Sequence, residues 1–251
     1  MKNLIKIIFL FVIVIINSCT KSNEKDNSPS TIEKKVADSI IIQKTNEGEP
    51  KNKDLDFTIT EGMVSDIVPK KFEIQYEAEG DLNNDGLPDQ VLVLRQKSDT
   101  LAQRTVLVLL KNKDNNYKLD KSSNILFPDE YNEADYKKYD PEDIMIEKGV
   151  LKINLYNPAP YGNLFFNFKY INNDLVLTYI ETYNVGAGSW QSLYYEPLKG
   201  KFTQEVTNTM EEEMPVKTKT IQVKKQKFLF ENSSPDDIIS KVYSENDVID
   251  N

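Results

Sequence analysis

The chain is 251 residues long, carries a formal net charge of −9 and contains no histidine and a single cysteine. A negative chain of this kind repels nucleic acid, and without an imidazole it has no Ser-His-Asp triad, zinc-histidine site or histidine proton shuttle. One cysteine excludes a disulfide framework and a thiolate metal cluster, which leaves carboxylate, lysine or serine chemistry open.

The first stretch, MKNLIKIIFLFVIVIINSCT, puts Lys2 and Lys6 ahead of an apolar run from Ile7 to Ile16, then Asn-Ser-Cys. That run is short for a bilayer span, which takes about 20 residues, and it suits the core of a signal peptide. Ile16-Asn17-Ser18-Cys19 resembles a bacterial lipobox, with a branched apolar residue at −3, a small residue at −1 and the cysteine to be lipidated. The resemblance implies a signal peptide over residues 1–18, acylation of Cys19 and a membrane anchor in the bacterial cell envelope. Removal of Lys2 and Lys6 with the leader takes the formal charge from −9 to −11. Thr20, rather than Asp, follows the cysteine, and by the same resemblance the destination is the outer membrane. The alternative is an ordinary secretory signal, or a short membrane anchor, with an incidental cysteine.

Residues 19–55 are rich in Lys, Asn, Glu, Asp and Ser. This is the composition of a lipidated flexible tether, too polar to build a core. Ser30-Thr31-Ile32-Glu33 is a capping-box pattern that could open only a short, marginal helix. A single β-rich domain is expected over residues 56–251.

Within that domain, FEIQYEAE alternates Phe72, Ile74, Tyr76 and Ala78 against Glu and Gln, the pattern of a half-buried strand. QVLVL (90–94) and RTVLVLL (104–110) are continuous apolar runs and predict strands buried on both faces near the middle of a sheet. Polar clusters such as KNKDNN, EKG, NND and LKG then separate further short strand patterns from Tyr117 to Val206. Strands joined by tight turns at this spacing predict an all-β fold, mainly an antiparallel meander, sandwich-like or a propeller fragment. Two segments break the rhythm: the acidic, Tyr-rich connection Phe127–Asp143 and the exposed excursion TNTMEEEMPVK, with one or two strands after it. Ser234-Pro235-Asp236-Asp237 offers an N-cap, a proline at N1 and two acids in the first turn of a short closing helix.

The most specific motif is GDLNNDGLPDQVLVL (80–94). Side-chain oxygens recur at Asp81, Asn83, Asp85 and Asp89, with Gly86 at the bend and the carbonyl of Leu87 as a further donor. A hard cation such as Ca2+ needs six to eight oxygens, and a tightly curled loop supplies them from alternate positions. Leu92 stands where an EF-hand has its bidentate glutamate, so water must complete the shell. A metal-free polar turn is the competing reading, although three crowded carboxylates repel one another and a cation removes that conflict. The motif resembles the calcium loops of FG-GAP and VCBS-type repeats found in integrin-like propellers and bacterial surface proteins. More loosely, the stretch from Phe72 to about Val206 is similar to uncharacterised bacterial envelope proteins carrying one such loop. A single copy without internal repeats argues for a solitary β domain rather than a propeller.

Trp190 in NVGAGSWQS, near Tyr183, Tyr194 and Tyr195, could form a sugar-stacking platform or simply sit at a sheet edge. No G-x-x-x-x-G-K or G-x-S-x-G motif is present. Asp129, Glu130, Glu133, Asp135 and Asp140 are expected to form a solvated acidic loop. The expected protein is therefore a lipid-anchored envelope lipoprotein with structural Ca2+ and no assigned catalytic residue. It would act as a binding or accessory module for a glycan or envelope protein, with no nucleic-acid partner. The alternatives are a carboxylate-dependent glycan hydrolase and an accessory subunit of an outer-membrane complex.

Overall fold

A computed structural model describes residues 57–246 and residue 249; the expected signal peptide, Cys19 and the tether lie outside the described residues. The first elements are β1 (Glu61–Gly62), α1 (Val64–Ile67), β2 (Phe72–Gly80), β3 (Asp89–Gln96), β4 (Thr105–Lys111) and β5 (Tyr117–Ser123). They form a five-stranded antiparallel sheet in the order β1-β5-β4-β3-β2. There follow β6 (Glu142–Glu147), β7 (Val150–Leu155), β8 (Asn163–Ile171), β9 (Asp174–Val185), β10 (Ser189–Glu196), β11 (Lys201–Asn208) and β12 (Val216–Gln222). These make a seven-stranded sheet in which each strand pairs with its neighbours in sequence. A single 3-10 turn (Phe230–Asn232) and the helix α2 (Pro235–Glu245) complete an all-β fold with a short C-terminal helix.

The turn residues explain the meander. Lys148-Gly149 and Asn172-Asn173 both have positive φ, at 52°, 72°, 52° and 68°, and each pair closes a two-residue hairpin. Left-handed geometry at both turn positions matches the strand twist and favours Gly and Asn. Gly200 (φ 64°) closes the β10–β11 connection, where an added Cβ would lie 2.3 Å from the Val223 carbonyl oxygen.

Burial follows the sequence pattern. Val91, Leu92, Val93 and Leu94 are all fully buried, as are Val106 to Leu109, because β3 and β4 occupy the interior of their sheet and both faces are covered. On one side Leu92, Leu94, Leu107 and Leu109 pack with Phe57, Ile67, Phe72 and Tyr117. On the other, Val91, Val93, Val106 and Val108 join the main core with Phe166, Phe168, Tyr195 and Phe202 of the seven-stranded sheet. Ile239 and Val242 of α2 enter the same core. The seven-stranded sheet is thus covered on its inner face, and neither of the two described α-helices packs on its outer face.

Two local expectations meet different outcomes. Ser234 occupies the N-cap position and Pro235 opens α2, yet the Ser234 side chain makes no capping bond. After the excursion β12 supplies one of the one or two strands expected there, and beyond it residues 223–229 make single backbone bonds, such as Leu177 N–H to the Phe228 carbonyl (3.0 Å).

Candidate functional site

The loop between β2 and β3 begins where Gly80 pairs with Asp89. Its curl is set by side chains accepting from the loop's own backbone. The Asp85 N–H is shared between Asp81 Oδ1 (3.0 Å) and Asn83 Oδ1 (2.9 Å), Gly86 N–H donates to Asp81 Oδ2 (3.0 Å), and Leu87 N–H donates to Asp85 Oδ1 (2.8 Å). Because two oxygens lie on one nitrogen and Asn83 Nδ2 donates to Asp85 Oδ2 (2.9 Å), Asp81, Asn83 and Asp85 are gathered on one side of the loop. Asn84 (φ 62°) and Gly86 (φ 86°) take the left-handed geometry of the bend. Leu87 is half-buried and Asp85 exposed.

Asp89 has a distinct position. It is fully buried at the start of β3, where Oδ2 accepts from Leu82 N–H (2.9 Å) and Asn83 N–H (3.2 Å), and Oδ1 accepts from Lys111 N–H (3.0 Å). Burial raises its carboxyl above the ordinary value, the three N–H bonds pull it back, and the Asp85 charge adds to the rise. Among the described residues no three His, Cys, Asp or Glu side chains are gathered as a ready metal cluster. The reason is legible: one of the converging donors is an amide, and Asp89 is turned to backbone N–H groups. The donor set is all oxygen, which suits a hard cation, and each carboxylate oxygen bound to one N–H retains a second lone pair.

The loop also joins the two sheets. Leu82 is fully buried in the main core. The Asn84 amide fits against Gly149, where an added Cβ would come within 2.7 Å of it, and Gly80 lies as tightly against Ile146 of β6.

The acidic connection is only partly solvated. Asp129, Glu133, Asp135 and Asp140 are exposed as expected, but Glu130 is 7% exposed, accepts from Gln75 Nε2 (2.7 Å) and faces Arg95 at 3.8 Å. Glu142, at the start of β6, forms a buried ion pair with Arg104 (2.7 Å), whose guanidinium lies 4.6 Å from the Phe127 ring centroid. Sequence reasoning missed both pairs; the available signal was that only two of the 31 basic residues are arginines. A cavity of about 390 Å³ borders this region, lined in part by Asp129, Lys138, Asp236 and Asp237. Burial, then the charge of Asp237, raises the Asp236 carboxyl, and Lys138 opposes the rise.

Trp190 is 36% exposed at the start of β10, paired with Val185 and Thr207. Tyr194 and Tyr183 share its face of the sheet, whereas Tyr195 points the other way into the core. Among the described residues no helix is long and apolar enough to cross a membrane. The chain matches no protein-family model, no curated protein and no solved structure.

Proposed function

We propose that this chain is a lipid-anchored lipoprotein of the bacterial cell envelope, with the outer membrane as destination and a calcium-stabilised β domain that serves as a non-catalytic binding or accessory module. The lipobox-like Ile16-Asn17-Ser18-Cys19 supports the anchor. The carrying observation for calcium is the convergence of Asp81 and Asn83 oxygens on the Asp85 N–H, with Asp85 Oδ2 drawn to Asn83 Nδ2, in a loop whose acids otherwise repel one another. Asp81, Asn83, Asp85 and the Leu87 carbonyl would hold the ion, with Asp89 closing the shell directly or through water. The ion would neutralise the loop and fix its bend. A broad sheet face with half-exposed rings favours binding over catalysis.

The test is thermal unfolding in millimolar calcium and in excess chelator. The parent is expected to melt higher with calcium, and Asp85→Ala to lose that difference. Equal shifts in parent and variant would reject the site. A second reading, glycan hydrolysis by carboxylates, is favoured by the raised Asp236 carboxyl beside Asp237 in the 390 Å³ cavity. Release of new reducing ends from a polysaccharide by the parent, absent in Asp236→Asn, would establish it.

A further inference from the structure

The geometry points to the outer face of the seven-stranded sheet as a binding platform for an uncharged glycan chain, an inference that deepens the binding-module reading and rests on it. Antiparallel partners project to the same face, so the register lines side chains into rows. One row crosses five strands as Asn154, Phe165, Glu181, Tyr194 and Thr203. A second, two residues along, runs Asn163, Tyr183, Ser192, Glu205 and Thr218. At about 4.8 Å per strand, five strands give a track about 19 Å long. Rings and hydrogen-bonding groups alternate along the first row, and the second adds Tyr183 among polar groups, the pairing that a sugar chain's apolar ring faces and hydroxyl edges require.

The rings are held in place before any ligand arrives. Tyr179 OH donates to Glu181 Oε2 (2.7 Å), Tyr194 OH to Glu205 Oε2 (3.3 Å), and the Tyr156 and Phe165 rings lie 5.0 Å apart. All five of these aromatic and acidic strand positions on β8 to β11 remain half-exposed, and a rigid sheet surface loses little entropy on binding. Charge selects among occupants. Asp143, Glu147, Asp174, Glu181, Glu196 and Glu205 outnumber Lys152, Lys169 and Lys201 on this face, which disfavours phosphate, uronate or anionic headgroups. A protein partner or second copy would favour an apolar centre. Here the aliphatic Val185 and Val216 stand in the Trp190 row, beside the two rows described and not within them.

The test is affinity electrophoresis of the full chain in detergent through mannan, xyloglucan or hydroxyethylcellulose, with carboxymethylcellulose as the charged arm. At least one uncharged polymer is expected to retard the parent and the charged derivative to retard it less. Tyr194→Ala should weaken binding roughly three- to tenfold for one ring removed, whereas Tyr194→Phe should retain it. Equal unfolding temperatures of the two variants check folding. Equal mobility of parent and Tyr194→Ala, no retardation by any uncharged polymer, equal retention by the charged one, or a dimer that Tyr194→Ala dissociates would each overturn the platform. Asp85→Ala separates the two readings: it should lose the calcium response and keep glycan retardation below its melting temperature.

Discussion

Arg95 and Arg104 are spent on the same task, bringing glutamates of the acidic connection under cover. Arg95 Nη2 bonds Glu73 at 2.7 Å while its Nη1 faces Glu130, and Arg104 pairs with Glu142 with both side chains at most 2% exposed. A planar guanidinium can satisfy a carboxylate and a carbonyl together, as Arg104 does by also donating to the Pro128 carbonyl (3.4 Å), and a lysine's point charge cannot reproduce that fork. In a chain otherwise supplied with lysine, arginine therefore marks the two buried glutamates. Arg104→Met would leave the Glu142 carboxylate buried without its partner, at a cost of about 3–5 kcal/mol. Arg104→Met with Glu142→Met should recover most of that loss. Urea unfolding of the single and double variants measures both values, and a double variant no more stable than the single would show that the unpaired charge is not the source of the cost.

At the scale of elements, α2 combines favourable and unfavourable electrostatics in one turn. Asp236 and Asp237 sit at its positive N-terminus, but burial and mutual repulsion raise the Asp236 carboxyl. A carboxyl raised in the folded state favours the protonated form there, so its contribution to stability falls as pH rises from the unfolded value, near 3.9, through the raised one. Asp236→Asn, a mimic of the protonated group, should thus stabilise the fold at about pH 7 and change little near pH 3, below both values. Melting curves across that range check the sign; a larger benefit at acid pH would contradict it. This helix was legible in the sequence because Pro235, two acids and apolar residues at Ile239 and Val242 all agree. The meander was legible for a similar reason: alternation or solid hydrocarbon between Asn and Gly turns leaves little choice of period. The unforeseen pieces are those without a period. β1 and α1 span two and four residues, too few to show one, and the burial of Glu130 depends on Gln75 and Arg95, distant in sequence. The gathering of Asp81, Asn83 and Asp85 on one side of the loop was readable from spacing alone, whereas the anchoring of Asp89 to Lys111 N–H required knowing that β4 ends beside it.

Across the whole molecule, the β2–β3 loop is a junction rather than an appendage. Leu82 enters the core shared by both sheets, Asp89 ties the loop to the end of β4, and Asn84 rests against the β6–β7 turn. A change in loop stability is therefore transmitted to both sheets, because no described part of the shared core can open without exposing apolar surface from each. With a dissociation constant of about 10⁻⁴–10⁻³ M, typical of extracellular calcium modules, about 10 mM calcium would stabilise the fold by about 1.4–2.7 kcal/mol. For a domain of this size that is about 3–11 °C in Tm. Trp190, the sole tryptophan, reports from the seven-stranded sheet, on a strand that does not pair with the loop's sheet. Its fluorescence transition should move with calcium by the same amount as the far-ultraviolet dichroism of the full chain. If chelation shifts only part of the dichroism change and leaves the Trp190 transition in place, the loop is locally stabilised and the two sheets do not unfold as one unit.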